Sequence, residues 1–513
     1  MSAGLDYIFG KLIIFLTSEL PCILYNSNTT FNTMNKSITK FLLLFITLFC
    51  GKTVFAQDYL LESTFLGSRS KFELLVLFGQ AVDYDVDLYR IRYKTPGSDL
   101  LPDTASGLLV IPQVPAGTQL PIVLYEHGTT AGPTDVPSQL RGGFEVAMAY
   151  AAFGFITVAP DYLGLGDSRG FHPYVHASTE AYASLDMLNA SLEYLDFNEP
   201  EWNPNFLFVA GYSQGGHASM AVHKEIEDFW SFVYPVTAAT HMSGPYSLSG
   251  VMRDIILSDV SYGSPAYIAY IALGYQTIYG NIFNTVNDVF KEPFATSIND
   301  FYTGAINLTT LNAQLISALA IDGDTINKRM FQDSVITAIT TQSNHPINVA
   351  LRDNDTYDWA PTAPTRLYYC GGDEQVPFQN SLIAETTMQA NGAADVLAVN
   401  LNPTFSHGQC VFPAILSSID FFQSFVNPSS ISGLDLKAQE LRISPNPAND
   451  EILIDWEKAK GGMDYEIINA NGQTMTRGHS YLNRVNVDQL PAGIYVIISS
   501  AEGETRMARF VRQ

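Results

Sequence analysis

The apolar and polar positions of this chain follow two periods, and the change between them divides it. Residues 85–93 alternate through Val86, Leu88, Tyr89, Ile91 and Tyr93, and residues 106–112 carry Gly-Leu-Leu-Val-Ile; these predict two strands paired antiparallel. Residues 121–126 and 155–160 predict two more, ending at His127-Gly128-Thr129-Thr130 and at Asp161-Tyr162-Leu163-Gly164-Leu165-Gly166. Helical spacing over 177–195 puts Leu185, Leu188, Leu192 and Leu195 on one face. The apolar run 206–210 predicts a buried strand, and the segment through Met220 to Phe229 a helix directly after it. Residues 236–243, 365–370 and 395–401 predict three further strands, and 414–425 a closing helix with Ile415, Ile419, Phe422 and Phe425 apolar. Strands alternating with helices predict an α/β fold, a mostly parallel sheet with helices on both faces.

Two stretches break this rhythm. Residues 244–361 are rich in Tyr, Phe, Ile and Ala, with helical spacing at 266–273 and 311–320, and lie between two sheet strands. An insertion of this length predicts a helical lid or cap over a site rather than a loop; a packing extension remote from any chemistry is the alternative. Residues 431–440 read as a polar linker. From 441 to 513 the period becomes that of short strands, at 451–456, 465–469, 484–487 and 493–499, with Asn471-Gly472 as a hairpin signal. This predicts a small C-terminal β-sandwich.

The N-terminus reads as an export signal. Lys36 and Lys40 supply a positive start, 41–49 an apolar core broken only by Thr47, and Val54-Phe55-Ala56 a small-x-small cleavage site. Residues 34–56 are therefore read as a signal peptide, too short for a membrane span, and 1–33 as an upstream extension from a misassigned start. Bulky Phe49 before Cys50 argues against lipidation. The mature chain then runs as a domain over 57–430, the linker, and the tail, with no integral membrane span. The net charge of −24, from 27 basic and 51 acidic residues, argues against nucleic-acid partners. Only Cys370 and Cys410 survive cleavage; an even pair in an exported protein permits one disulfide, and two buried free thiols are the alternative.

The chemistry centres on Gly211-Tyr212-Ser213-Gln214-Gly215-Gly216-His217, a G-x-S-x-G between predicted strand and helix. Such a turn lifts a serine hydroxyl clear of the sheet and aims backbone N–H groups at the same point. A serine nucleophile needs a base, and the base an orienting acid. Gly371-Gly372-Asp373-Glu374-Gln375-Val376-Pro377 follows one late strand and Phe405-Ser406-His407-Gly408 the next. Asp373 fits the acid, with Glu374 as its rival, and His407 the base, each on a loop at a strand's C-terminal end, where open α/β sheets bind ligands. His217 reads as a packed helix residue and His127 as part of a backbone turn. For the oxyanion hole the backbone N–H groups of Gln214 and Thr129 are the candidates. Asp161, Tyr162, His172 and Tyr174 read either as a pocket rim or as residues that shape a loop, and Asp186 as structural. No metal-spaced Cys/His cluster and no phosphate-cradling loop is present in the sequence, so no cofactor is predicted.

Together these residues resemble the α/β-hydrolase superfamily across 84–425. Within it, Leu88-Tyr89-Arg90, Gly211-Tyr212-Ser213-Gln214-Gly215-Gly216, the long insertion, Trp359-Ala360-Pro361 and Asp373-x-x-Val376-Pro377 are similar to the secretory lipase family of extracellular esterases. His127-Gly128-Thr129 departs from that family and is commoner in other branches of the superfamily. The resemblance implies cofactor-free Ser/Asp/His ester hydrolysis beneath a helical lid, on small-molecule or lipid esters. The tail resembles a type IX secretion sorting domain as found in Bacteroidetes bacteria, through Ile443-Ser444-Pro445-Asn446-Pro447-Ala448, Asn471-Gly472, Leu490-Pro491-Ala492-Gly493-Ile494-Tyr495 and Arg509-Phe510-Val511-Arg512. That implies the type IX machinery as partner and a secreted or cell-surface location. A serine peptidase on the same scaffold and a non-catalytic surface binding protein are the alternatives to a carboxylic-ester hydrolase.

Overall fold

Nine strands form one sheet, in the order β1-β2-β3-β5-β4-β6-β7-β8-β9. The computed structural model describes residues 59–198, 200–426, 441–469, 474–501 and 504–512. All of these belong to one of the chain's two units, Asp58–Gln513; the other, with the predicted upstream extension and signal peptide, lies outside the described residues, as does the linker. β1 (Leu60–Arg69), β2 (Val86–Pro96) and β3 (Pro102–Pro112) run antiparallel, and β3 pairs antiparallel with β5 (Ile156–Pro160). From β5 onward every pairing is parallel, through β4 (Gln119–Glu126), β6 (Glu201–Tyr212), β7 (Val236–Met242), β8 (Thr365–Cys370) and β9 (Val396–Asn402). Parallel strands need crossovers, and those crossovers cover both faces of the sheet.

The two-residue period of β4 shows how the faces are filled. Val123 and Tyr125 join an apolar cluster with Tyr150 of α2 (Phe144–Ala152) and Phe422 of α12 (His407–Val426). Ile122 and Leu124 join another with Leu185 and Leu188 of α3 (Ala177–Leu195) and Val222 of α4 (Gln214–Glu225). Helix α12 is long and apolar enough by composition to cross a membrane, but its Ile415, Ile419 and Phe422 are buried against the sheet.

Several elements escape the sequence pattern. β1 is largely exposed and does not alternate. The short helix α1 (Lys71–Phe78) follows a capping box, Ser70 with Glu73, which the sequence does display. β6 begins at Glu201, because Glu201 and Trp202 pair with Gln119 and Leu120 of β4. The closing helix starts at His407 rather than 414, carrying Pro413 inside it. His407 therefore stands on the first turn of a helix rather than on a loop.

Between β7 and β8 the insertion is helical: α5 (Arg253–Leu257), α6 (Pro265–Tyr279), α7 (Phe294–Tyr302), α8 (Leu308–Leu319), α9 (Asp333–Thr341) and α10 (Pro346–Asp353). It owns a core, with Leu273, Phe290, Ile298, Leu311, Leu315 and Met330 buried together, joined by Tyr174 and Val175 from the loop before α3. Helix α11 (Gln379–Ala390) links β8 to β9. In the tail, β11 (Glu451–Asp455) pairs with β10 (Arg442–Ser444) and β14 (Arg484–Asn486). A second antiparallel sheet runs β13 (Thr474–Ser480), β12 (Met463–Asn469), β15 (Gly493–Ala501) and β16 (Glu504–Arg512). Ile452 and Val485 of the first sheet share a core with Ile467, Ile497 and Phe510 of the second. The Asn471-Gly472 hairpin lies outside the described residues, between paired β12 and β13.

Candidate active site

Ser213 stands between β6 and α4 with φ 62° and ψ −123°. A non-glycine residue at positive φ is strained, and the surroundings must hold it there. They do so through glycine. A Cβ on Gly211 would lie 1.9 Å from the Gly215 carbonyl oxygen, one on Gly215 2.0 Å from that of Glu126, and one on Gly216 2.7 Å from that of Met242. Any side chain at these positions would push the turn off the sheet. The Ser213 N–H donates to Met242 O of the neighbouring β7 at 2.9 Å, fixing the turn from the other side.

His407 and Asp373 come to the serine from the ends of β9 and β8. His407 Nε2 lies 2.9 Å from Ser213 Oγ, and Nδ1 lies 2.7 Å from Asp373 Oδ2. The carboxylate accepts on its other oxygen from the Gln375 and Val376 N–H groups, at 3.0 and 2.8 Å. Its acceptor-only chemistry assigns the proton on Nδ1, leaving Nε2 to accept from the serine hydroxyl. The Asp373 side chain is fully buried and that of His407 nearly so. Glu374 faces elsewhere: its Oε2 accepts the backbone N–H of His407 at 3.0 Å. Partial burial pushes its carboxyl up, but that hydrogen bond, with those from its own backbone N–H and the Gln375 amide and the charge of His407, together outweigh burial and hold it below the usual range. Of the two rival acids, one therefore meets the imidazole ring and the other its backbone.

Cys370, the last residue of β8, is bonded to Cys410 in the first turn of α12, with Cα atoms 5.9 Å apart. The bridge ties the strand before Asp373 to the helix that begins at His407.

The Gln214 N–H opens α4, where helix geometry leaves it without an intrahelical acceptor. Opposite it runs 127–130. A Cβ on Gly128 would lie 3.3 Å from Tyr212 O and 3.7 Å from the Ser213 Cβ, so this loop runs alongside the nucleophile turn. His127 is buried in the turn, with Nδ1 2.7 Å from Gly128 O and Nε2 3.3 Å from Asp161 O. Burial pushes its imidazole below the ordinary value, and the ring braces the loop between the two carbonyls. Thr129 Oγ1 meets Tyr174 OH at 2.7 Å. Among the described residues, no backbone carbonyl accepts from the N–H of Thr129 or Gln214.

Asp161 and Tyr162 hold this loop from beneath. Asp161 accepts from Ser106 Oγ at 2.6 Å and Ser138 N at 3.0 Å, and Tyr162 OH donates to His127 O at 3.0 Å. Both are buried and shape the loop rather than line a rim. Asp186 is also buried, within α3. His217 is fully buried between Glu180 and the Asn354 carbonyl. His172 is buried against Gln214. Glu180 and Asn354 are not among the residues the sequence singles out; an acid in the first turn of a largely apolar helix is visible in the sequence, but its partner is not.

Besides Asn354, several groups of the insertion touch the surroundings of the site. Tyr262 OH donates to Gln375 O at 2.9 Å in the loop of the acid. The Leu308 N–H donates to Ala131 O at 3.0 Å beside the proposed oxyanion loop. Tyr270 stacks on Tyr174 with ring centroids 4.4 Å apart. Among the described residues no group of three or more His, Cys, Asp or Glu side chains could hold a metal ion.

The sheet domain is similar to solved structures over most of its length. A Legionella pneumophila protein assigned as a hydrolase is 26% identical, with a TM-score of 0.66 over 74% of this chain and 100% of that one. The rice cell wall degrading esterase LipA from Xanthomonas oryzae is 27% identical, with a TM-score of 0.63 over 73% of this chain and 98% of that one. Candida antarctica lipase A, in its closed state, shares the fold at 14% identity, with a TM-score of 0.54 over 74% and 84%. No curated protein matches the chain. Residues 442–513 match the family of the secretion system C-terminal sorting domain. The chain thus joins an α/β-hydrolase fold to a C-terminal sorting domain, the segment that marks proteins exported by type IX secretion to the cell surface or beyond it.

Proposed function

We propose that this exported hydrolase cleaves carboxylic esters through an acyl-enzyme on Ser213. The observation that carries the reading is the relay Ser213 Oγ–His407 Nε2 at 2.9 Å and His407 Nδ1–Asp373 Oδ2 at 2.7 Å. In this reading His407 takes the serine proton as Oγ attacks the ester carbonyl carbon. Asp373 holds the ring and offsets the charge of the imidazolium. The developing oxyanion is met by the N–H groups of Gln214 and Thr129. The C–O bond to the alcohol breaks as His407 returns the proton to the leaving oxygen. Water, deprotonated by the same imidazole, then attacks the acyl-enzyme and releases the acid and Ser213. No cofactor enters this scheme.

The likeness to a cell-wall-degrading esterase supports an ester as substrate. In the same reading 244–361 act as a lid. Its tyrosines Tyr262 and Tyr267 reach the loop of the acid, and Tyr270 stacks on Tyr174 beside Thr129, so an acyl or alcohol group would enter among aromatic rings. The domain division at 430 and 441, with the tail removed or retained after export, belongs to the same proposal.

The test is p-nitrophenyl ester hydrolysis by wild type and Ser213→Ala, with fluorophosphonate labelling of both. Wild type is expected to release p-nitrophenol and to label, and Ser213→Ala to do neither. Full activity in the variant refutes the reading. A series of acyl lengths, with and without an oil–water interface, then separates a soluble esterase from a lipase.

A further inference from the structure

Beneath the nucleophile turn lies a buried polar chain that the hydrolytic scheme leaves unused. His217 Nδ1 lies 2.7 Å from Glu180 Oε2, and Nε2 2.9 Å from Asn354 O. Glu180 Oε1 accepts from Gln214 Nε2 at 3.0 Å, and that same nitrogen lies 2.9 Å from His172 Nε2. His172 Nδ1 lies 2.7 Å from Leu163 O. Glu180, His172, Gln214 and His217 are each less than 5% exposed.

The proton assignments follow from the acceptors. A carbonyl and a carboxylate only accept, so both nitrogens of His217 donate and the ring is an imidazolium. Burial alone would lower its affinity for the second proton; the Glu180 charge and hydrogen bond, with the Asn354 carbonyl, outweigh that and raise it. His172 is the opposite case. It donates from Nδ1 to Leu163 O, so Nε2 is free to accept from the Gln214 amide, and burial pushes its pKa down to about 3. Gln214 Nε2 therefore spends one N–H on Glu180 and the other on His172. Only one arrangement of protons satisfies the chain, so the amide of Gln214 has one place to be.

A buried ion pair of this kind is poor evidence for stability, because desolvation offsets most of its attraction. What it offers here is a fixed position. Glu180 sits in the first turn of α3, where the helix dipole favours a carboxylate. The start of that helix is held in turn by the insertion: the Ala177 N–H donates to Asn354 Oδ1 at 2.8 Å. The residue gripped at the other end, Gln214, is the one whose backbone N–H faces the proposed oxyanion.

We infer that the buried pair Glu180–His217, anchored on Asn354 of the insertion, positions the Gln214 peptide for the oxyanion by holding its side chain. Glu180 and His217 are positioning residues and touch no substrate. The inference rests on the hydrolase reading above. Oxyanion donors act on the transition state more than on bound ester, so their misplacement lowers kcat and leaves KM nearly unchanged. Glu180→Gln puts an amide NH2 in place of one of the two accepting oxygens, so in this geometry a donor meets either His217 or Gln214, which are both donors.

The test measures kcat, KM and the fluorophosphonate labelling rate for wild type, Glu180→Gln, Gln214→Ala and the double variant in the full chain. Glu180→Gln and Gln214→Ala are each expected to lower kcat and the labelling rate about tenfold or more, with KM within about twofold, since a misplaced donor costs much of what a deleted one does. The double variant is expected to be no slower than Gln214→Ala, because the pair acts only through that side chain. Wild-type rates in either single variant, or a double variant slowed by the product of the two single effects, overturn the inference alone. Should Glu180→Gln fail to fold, Gln214→Ala, which leaves the ion pair intact, still decides by its kcat and KM. A wild type that neither turns over nor labels overturns the hydrolase reading itself, and this inference with it.

Discussion

Tyr212 donates its phenolic hydroxyl to the backbone carbonyl of His407 at 2.6 Å, across 195 residues of chain. The residue beside the serine thus holds the residue that carries the imidazole. With Glu374 accepting the His407 N–H, both backbone polar groups of His407 are held, as are both ring nitrogens. Tyr212→Phe deletes the hydroxyl and one of the hydrogen bonds to the His407 carbonyl, a net cost of about 0.5–1.5 kcal/mol. It is expected to lower kcat about tenfold, as the imidazole loosens against Ser213, with KM little changed. Steady-state kinetics beside a thermal melt check this; a lower melting point with unaltered kcat would show the hydroxyl to be structural only.

The Cys370–Cys410 bridge spans 40 residues of sequence. Cross-linking a loop of that length restricts the unfolded chain by about 4 kcal/mol at most in the loop-entropy account. A reductant is expected to lower the melting temperature of the wild type and to leave that of a Cys370→Ala/Cys410→Ala variant unmoved. Comparing the two melts with and without dithiothreitol reads the effect, and equal sensitivity of both proteins would contradict it.

Glu126 ends β4 directly before the loop of His127 and is fully buried. Burial pushes its carboxyl from an ordinary 4.5 up to about 8, against the hydrogen bond from Ser184. Between those two values the folded protein keeps a proton that the unfolded chain releases. Stability therefore falls as pH rises through this window, by up to roughly 1.4 kcal/mol per pH unit, and the cost is complete above it. Glu126→Gln has no proton to lose. Its urea midpoint minus that of the wild type is expected to grow from pH 5 to pH 8.5; a constant difference would place the titration elsewhere.

How much of this was legible beforehand depended on how local the cause was. Helix α3 reads from 177 to 195 and β8 from 365 to 370 because each has a periodic apolar face and clear ends. β1 did not read, since as an exposed edge strand it has no apolar face to display. The start of α12 read seven residues late, because Pro413 signals a break that the helix absorbs. The turn around Ser213 read well, for a strained backbone needs glycine at fixed spacing and sequence shows glycine directly. The two candidate acids were another matter. Asp373 and Glu374 are neighbours of equal charge, and only the path of the loop aims one at the ring of His407 and the other at its backbone.

By itself the sequence determined what depends on neighbours along the chain: the strand and helix periods, the G-x-S-x-G turn, the order serine, acid, histidine, and the change of period at the sorting domain. Tertiary structure decided what depends on neighbours in space: the Cys370–Cys410 pairing, the division of work between Asp373 and Glu374, and the burial of Glu180 against His217. The reason is physical. Backbone preference acts over a few residues, whereas a charge or a thiol is answered by whatever group the fold brings within a few ångströms, and for Ser213 and His407 that group lies 194 residues away.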